Sequence, residues 1–246
     1  MQIHRAEMQR LAETSTHAHR EDLYAGIHKA LRACMADTLV SLGRADPADP
    51  GDIAGAVDRI VSLMALCASH VKHENEHMHP AVEAHAPGLT EKVADDHDDH
   101  LQHIAWLREQ AMALPAVAES ERPAALHVLY LSLAGFVAEN FQHMHVEETR
   151  LNPALWTHCD DAELRSLHDA LVATIDPLEM MQVMRWMLPS LNAPQRLAVL
   201  QGMQAHAPVP AFEAVLDTLR PLLSQGDWAK LMAGLGRAPV PALVSR

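Results

Sequence analysis

Two histidine-rich stretches hold the residue types that could do chemistry in this chain of 246 residues. The first, HVKHENEHMHP at 70–80, places four histidines and two glutamates in about three helical turns. The second, HMHVEETRLNP at 143–153, repeats the opening His-x-x-x-Glu and the closing proline at an offset of 73 residues. One such pair is common on a solvated helix face, but two copies at a fixed offset favour a metal site.

Residues four apart on a helix lie on the same face, about 40° apart around the axis and about 6 Å apart along it. His70 and Glu74 can therefore address one centre, and so can His143 and Glu147. Imidazoles and carboxylates that face one another inside a protein carry a large desolvation cost unless a cation lies between them. The two pairs predict a buried site for a pair of metal ions.

The surrounding sequence predicts the helices that position these pairs. Apolar residues recur at helical intervals, and the segments GRADPADPGD, HAPGLT and LPAVAESERP interrupt them. Four long helices joined by short polar loops favour an all-α, antiparallel up-down-up-down four-helix bundle. The predicted helices cover about 20–43, Asp52 to about Pro80, Thr90 as N-cap to about Ala113, and about Pro123 through the second pair.

The same connectivity brings two more histidines to the level of the pairs. His28 lies about as far before the end of the first helix as His70 lies after the start of the second. His97 lies about two turns into the third helix, which sets it at a depth similar to that of Glu74. The candidate ligands on the four helices are therefore His28, His70, Glu74, His97, His143 and Glu147.

The last third of the chain predicts shorter helices with no evident chemistry. Three of them have capping-box spacing at the start, from Asp160, Asp176 and Asn192. A last pair is expected within 208–236, and the stripe MMQVMRWM at 180–187 is interpreted as core rather than as a partner-binding groove. We divide the chain into a bundle with a short N-terminal extension, 1–159, and a C-terminal helical extension, 160–246.

Composition restricts the partners and the compartment. A net charge of −13 argues against a nucleic-acid or an anionic-membrane partner. Three widely spaced cysteines indicate free thiols in a reducing compartment. The opening MQIHRAEMQR lacks the apolar run of a signal peptide, and no run is long enough to span a bilayer, so a cytoplasmic protein is expected.

Other histidines have no comparable support. His77 lies seven residues after His70 and so faces nearly the same way, and we expect it to support a ligand rather than to bind metal. Cys67, one turn before His70, is interpreted as a buried thiol. The histidines expected to be exposed or incidental are His17, His19, His79, His85, His145 and His158.

Four segments resemble the hemerythrin-like proteins of the His-His-Glu cation-binding group, of the bacterial type with a C-terminal helical extension. They are YAGIHKALR, HVKHENEHMHPA, DHDDHLQHIAWL and HMHVEETRLNPALW, within about residues 20–156. The resemblance implies a four-helix bundle around a non-haem di-iron centre, bridged by two carboxylates and an oxo or hydroxo group. It also implies that Glu74 and Glu147 are the bridges and that the terminal ligands are His28, His70, His97 and His143. Iron or manganese suits such ligands better than soft metals do, and zinc is a further candidate.

Two departures separate this chain from the oxygen-carrying members of that group. Those members have a further histidine one turn before the residue that matches His97, and here Val93 stands there. They also end with an aspartate at a longer spacing, where this chain has Glu147. Both metal ions would then keep an open position, although His100 could fill one of them.

The resemblance implies a di-iron protein that binds dioxygen or a related small ligand, such as nitric oxide or peroxide, for sensing, storage or scavenging. One alternative is an enzyme that turns over peroxide or nitric oxide, or an iron donor for cluster repair. Another is a structural metal in a protein that works through its extension. The sequence names neither a protein partner nor the physiological ligand.

Overall fold

The computed structural model describes residues 5–17 and 19–237, and the outer ends of both predicted domains, 1–4 and 238–246, lie outside the described residues. All regular structure in the described ranges is helical, and no strand occurs among them. The prediction of an all-α protein is confirmed. The chain divides between Ile175 and Asp176 into two compact units.

Four long helices dominate the first unit, as predicted. Each contacts two of the others, so that the second long helix lies against the first and the third, and the fourth lies against the third and the first. An N-terminal helix that the sequence analysis did not predict precedes them. The helices are α1 (Arg5–Ser15), α2 (Ala25–Leu42), α3 (Pro50–His73), α4 (His79–His85), α5 (Glu91–Ala113), α6 (Arg122–Val146), α7 (Asn152–His158) and α8 (Asp161–Val172).

One π-helical turn follows each long helix that carries a His-x-x-x-Glu pair. The turns cover Glu74–Met78 and Glu147–Leu151, and each begins at the glutamate of its pair. Proline at 80 and at 153 then follows each turn. A proline ring lacks the N–H and clashes with the carbonyl four residues before it in an α-helix, and a wider turn accommodates it. The chain therefore remains helical past Pro80, into α4.

The turn between α4 and α5 is held by one carboxylate. Glu83 accepts hydrogen bonds from the backbone N–H groups of Gly88 and Thr90, at 2.7 and 2.9 Å. The Thr90 hydroxyl also donates to Glu83, at 2.5 Å. Thr90 precedes α5 as predicted, but its side chain does not cap that helix. Gly88 has a φ of 83°, a left-handed conformation that glycine adopts without strain.

Helix α8 belongs to the first unit and packs against its other helices. Leu164 is buried in an apolar cluster that also contains Tyr24, Val93 and Trp156. The Arg20 guanidinium donates from Nε to an oxygen of Asp161 at 2.7 Å. The capping box predicted at the start of α8, from Asp160, is present.

The described residues of the second unit, 176–237, form four α-helices around an apolar core of their own. These are α9 (Pro177–Ser190), α10 (Ala193–His206), α11 (Val209–Leu219) and α12 (Gln225–Gly234), and the last two lie where a final pair was predicted. Asn192 forms the predicted capping box, and Asp176 caps α9 by accepting from the Leu178 N–H. Within the stripe at 180–187, Val183 is buried and Met184 packs against the core from a half-buried position.

The position of α8 leads to a prediction about shortened chains. A chain that ends at Ile175 should keep the metal content and visible spectrum of the full protein. A chain that ends at Thr157 should also bind metal, but it loses the burial of Leu164, and we expect its free energy of unfolding to fall by about 2 kcal/mol. Urea unfolding with metal analysis checks both. Loss of the spectrum in a folded chain ending at Ile175 would place part of the site in the second unit.

Candidate metal centre

The structure brings the six predicted ligands together as two groups that share both glutamates. Each group offers one ligand atom per residue, and all four atoms of a group lie within 4.8 Å of one another. The first group contains His28 and His70, and the second contains His97 and His143, each with Glu74 and Glu147. The grouping offers two candidate ion positions with both carboxylates in common.

The glutamates lie between histidines from their own helix and from other helices. His70 Nε2 is 3.2 Å from Glu74 Oε2, and His143 Nε2 is 3.3 Å from Glu147 Oε1. His28 Nε2 lies 3.6 Å from Glu74 and 3.4 Å from Glu147. Each carboxylate therefore faces imidazoles from more than one helix, as a bridging ligand must.

The site is closed to solvent. His28, His97 and Glu147 are completely buried, and the Glu74 side chain is only 4 % exposed. His70 is the most accessible of the six, with 11 % of its side chain exposed. Two carboxylates are thus enclosed with four imidazoles, an arrangement that is costly without a cation.

The polar atoms at this site fit a pair of metal ions. Within the described part of the chain, Nε2 of His28, Nε2 of His70 and all four oxygens of the two glutamates are buried without a hydrogen-bond partner. His97 Nε2 and His143 Nε2 lie 2.9 Å apart. Two ligands at right angles on an ion with bonds of about 2.1 Å are separated by about 3 Å. The residues present therefore suit bound cations.

In the protein without a cation, the two buried carboxylates repel each other. Burial and repulsion from Glu74 raise the pKa of Glu147. Burial lowers the pKa of His70 to about 3, so this imidazole is neutral and able to bind metal at neutral pH. A cation between the carboxylates relieves both the desolvation and the repulsion.

The residue after each of the two shared glutamates orients a histidine from another helix. Asn75 Oδ1 lies 2.8 Å from His97 Nδ1, and Glu148 Oε1 lies 3.0 Å from His28 Nδ1. Asn75 and Glu148 are themselves 73 residues apart. These contacts direct Nε2 of each ring toward the carboxylates, which is how protein groups around a metal site fix the ligating nitrogen. The sequence analysis did not identify either residue, although the repeat already contained both.

Arg32 holds the Glu148 carboxylate in place. Its two terminal nitrogens donate to the two oxygens of Glu148 at 2.6 and 2.9 Å. Although burial opposes it, the hydrogen bonds from His28 and Arg32 lower the pKa of Glu148 to about 2. For His28, burial alone would lower the pKa. The interactions of His28 with Glu148, Glu74 and Glu147 outweigh burial and raise this pKa to about 9.

Removal of this anchored carboxylate should weaken metal binding without removing a ligand. We expect Glu148→Ala to lower metal affinity about 10- to 100-fold, because the His28 ring loses the partner that orients it. Competition with a chromogenic chelator measures the change. Glu139→Ala on the same helix, where the side chain is 65 % exposed, is the control and should bind as the unaltered protein does. Equal affinities for both variants would contradict the orienting role.

Tyr24 is a buried polar residue at the site that was not predicted from the sequence to have a role there. It lies one turn before His28, and the two rings are 5.4 Å apart. Its hydroxyl is buried and has no hydrogen-bond partner among the described residues. Burial, followed by the charges of Glu147 and Glu74, raises its pKa. The four-residue spacing from His28 was the signal that could have revealed it.

Val93 and His100 are the two positions that were expected to decide whether each metal ion keeps an open position. Val93 is buried in the apolar cluster that contains Tyr24. The His100 ring packs edge-on against His143, with centroids 4.8 Å apart, but His100 belongs to neither donor group. Burial lowers its pKa to about 4.

Some expectations for the other histidines were wrong. His79 is buried, and its ring stacks on that of His97 with centroids 4.9 Å apart. His77 does not face the six ligands, because the π turn that begins at Glu74 rotates the residues after it. His85 and His158 are exposed as expected, and they stack on each other. Cys67 is a buried thiol as predicted.

The long helices and the shared carboxylates define a helical cation-binding protein. In agreement with this, the family model described as the hemerythrin HHE cation binding domain matches residues 19–155. The chain belongs to the hemerythrin family, and its His and Glu clusters fit the cation binding that defines the matched domain. Comparisons with curated proteins and with solved structures gave no match.

Proposed function

We propose that residues 19–155 form a four-helix up-down bundle with a non-haem di-iron centre that binds dioxygen or a related small ligand. The role would be sensing, storage or scavenging. The observation that carries the proposal is that two groups of donors share Glu74 and Glu147. A site for one ion needs only one group of donors. Two ions bridged by carboxylates need two groups that have those carboxylates in common.

The donor set favours iron. Carboxylates and imidazoles are ligands for iron and manganese, and the same side chains also accept zinc. Within the described part of the chain no cysteine belongs to either group, so nothing selects a soft metal. When bound, an iron pair supplies redox chemistry toward dioxygen, nitric oxide or peroxide.

Four side chains around each ion leave room for a small ligand. Each ion would have two histidines and a share of two carboxylates, fewer than the six ligands of an octahedral iron. The hydroxyl of Tyr24 is buried, and the charges of Glu147 and Glu74 contribute to raising its pKa. We propose that this hydroxyl donates a hydrogen bond to whatever small ligand or bridging group occupies the centre.

Loss of the Tyr24 hydroxyl should change the centre without emptying it. Tyr24→Phe should retain the metal content of the unaltered protein, because the six His and Glu side chains of the two donor groups are unchanged. Its visible spectrum should shift, and added azide should bind with about tenfold altered affinity, since one hydrogen bond to a charged group contributes roughly 1.5 kcal/mol. Optical titration with azide measures both. Identical spectra and affinities would show that the hydroxyl does not reach the ligand.

Several observations support a cytoplasmic location. Cys34, Cys67 and Cys159 are free thiols, as expected in a reducing compartment. One stretch of the described chain, Arg122–His158, is long and apolar enough to cross a membrane by length and composition alone. That stretch carries His143 and Glu147 to the buried centre, which is the role of a core helix. We propose no membrane and no nucleic-acid partner.

One experiment separates binding from turnover. Iron-loaded protein is supplied with peroxide or nitric oxide and an excess of reductant, and consumption is followed in the steady state. A binding protein should take up a stoichiometric amount and stop. Sustained consumption would identify the enzymatic alternative. Removal of metal that unfolds the first unit, with no ligand-dependent spectrum beforehand, would identify a structural ion.

A further inference from the structure

A third group of metal-binding side chains lies nearer the surface of the first unit and shares no residue with the buried centre. It consists of His73, Glu76 and His77, whose ligand atoms all lie within 4.8 Å of one another. His73 is 7 % exposed, His77 is half-buried and Glu76 is exposed. This combination of a fixed imidazole and two accessible ligands differs from the fully enclosed centre.

We propose that His73, Glu76 and His77 bind a single divalent ion of the zinc class, in addition to the ions of the buried centre. Two imidazoles and one carboxylate are a ligand set that zinc uses when a fourth position remains for water or another small ligand. The formal net charge of −13 favours cation binding in general. Because the two sites share no residue, this proposal does not rest on the proposed function of the buried centre.

The helical geometry explains why these residues face a different direction from their neighbour Glu74. His73 ends α3, and the π turn Glu74–Met78 follows it directly. Glu74 lies inside the bundle, 3.2 Å from His70 Nε2. Glu76, two residues later, is exposed and can meet His73 and His77. The π turn thus places one carboxylate in each site.

This placement also determines the kind of site. His73-Glu74-Asn75-Glu76-His77 has the H-E-x-x-H spacing with which helical metalloproteases bind zinc and supply a glutamate as general base. Here the glutamate in the position of that base is buried among the ligands of the other centre. The surface group therefore has Glu76 as a ligand but lacks the base, so it predicts ion binding rather than peptide hydrolysis.

Small side-chain movements would complete the site. Ligands of a tetrahedral ion with bonds of about 2.05 Å are about 3.3 Å apart, so donors that lie within 4.8 Å of one another need to approach by at most about 1.5 Å. The rings of His73 and His77 are 6.5 Å apart between centroids and inclined at 33°. Thr174 Oγ1 lies 3.4 Å from His77 Nε2 and can hold one ring nitrogen while the other binds the ion.

Cobalt substitution tests the proposal on the full-length protein. The buried centre is first loaded with iron, excess metal is removed, and Co²⁺ is added while its visible absorption is recorded. We expect one additional Co²⁺ per chain with the intense bands of a four-coordinate ion, displaced by one equivalent of Zn²⁺. His77→Ala should lose this equivalent at a concentration that saturates the unaltered protein, and Glu76→Gln should weaken it.

His168→Ala is the matched control, because this histidine is exposed on another helix and belongs to no donor group. It should bind the additional Co²⁺ as the unaltered protein does. Iron content and the iron spectrum of every variant are measured separately and should not change. Absence of a third equivalent in the unaltered protein, equal binding by His77→Ala, or loss of iron from His77→Ala would each overturn the proposal.

Discussion

Glu147→Ala is expected to remove at least one of two metal ions from each chain. Glu147 is completely buried and belongs to both donor groups, so its loss takes a ligand from each ion position. It also leaves Glu74 as the single shared carboxylate. Metal analysis after exhaustive dialysis should find one ion or none per chain, where we expect two in the unaltered protein.

His145→Ala is the control for this substitution. His145 lies two residues before Glu147 on the sequence, but its side chain bonds to Glu7 of α1 instead of facing the centre. This variant should keep both ions, and a small loss of stability from the broken contact should not affect them. Equal loss of metal from the two variants would mean that the assignment of the buried face is wrong.

Removal of the metal ions should lower the thermal unfolding midpoint of the protein by about 10 °C. Ions that bind only the folded state, at about 1,000 times their dissociation constant, stabilise it by about 4 kcal/mol. For a chain of this size each kcal/mol corresponds to roughly 2–4 °C. In the metal-free protein the buried oxygens of Glu74 and Glu147 would have no ion, and they have no hydrogen-bond partner among the residues that the structure describes. Calorimetry before and after chelation measures the difference.

A double variant distinguishes the effect of the ions from a general effect of the chelator. Glu74→Gln combined with Glu147→Gln removes the charges that bind cations, so its unfolding midpoint should not respond to chelation. Its metal-free form should be at least as stable as the metal-free unaltered protein, because the repulsion that raises the pKa of Glu147 is gone. An unaltered protein with the same midpoint in both states would contradict a buried, charge-balancing metal pair.

The long helices could be predicted from the sequence because each one contains apolar residues that recur at helical intervals over a long stretch. The interruptions after Leu42, before Glu91 and before Arg122 contain proline or glycine, and no competing structure explains the apolar period between them. The predicted start of α2, at about residue 20, was less accurate. Asp22 accepts the backbone N–H groups of Tyr24 and Ala25, which delays the helix until Ala25, and this side-chain contact has no periodic signature.

The π turns could not be predicted from the period alone. A residue added within a helix leaves the pattern before it intact and rotates everything after it, so His77 was expected to face nearly the same way as His70. In the structure it joins His73 and Glu76 instead. The proline at the same offset in both copies was the visible sign, because proline inside an α-helix needs a local adjustment.

Residues that support the ligands depend on contacts between helices. Glu148 reaches His28 across 120 residues of sequence, and Asn75 reaches His97 across 22. The direction of neither side chain follows from its own helix. Tyr24 is different, because it is the N-cap residue of α2 and lies one turn before His28, so a four-residue spacing rule that included tyrosine hydroxyls would have found it.

The central claim is a di-iron centre bridged by Glu74 and Glu147, and metal content measured together with the visible spectrum of freshly purified protein tests it most directly. The spectrum is recorded as isolated, after reduction, and after exposure to air. We predict two iron ions per chain in the buried centre, with absorption that disappears on reduction and returns in air. Saturation at one ion per chain in a His77→Ala background, or iron-loaded protein whose spectrum does not respond to reduction and air, would contradict the account.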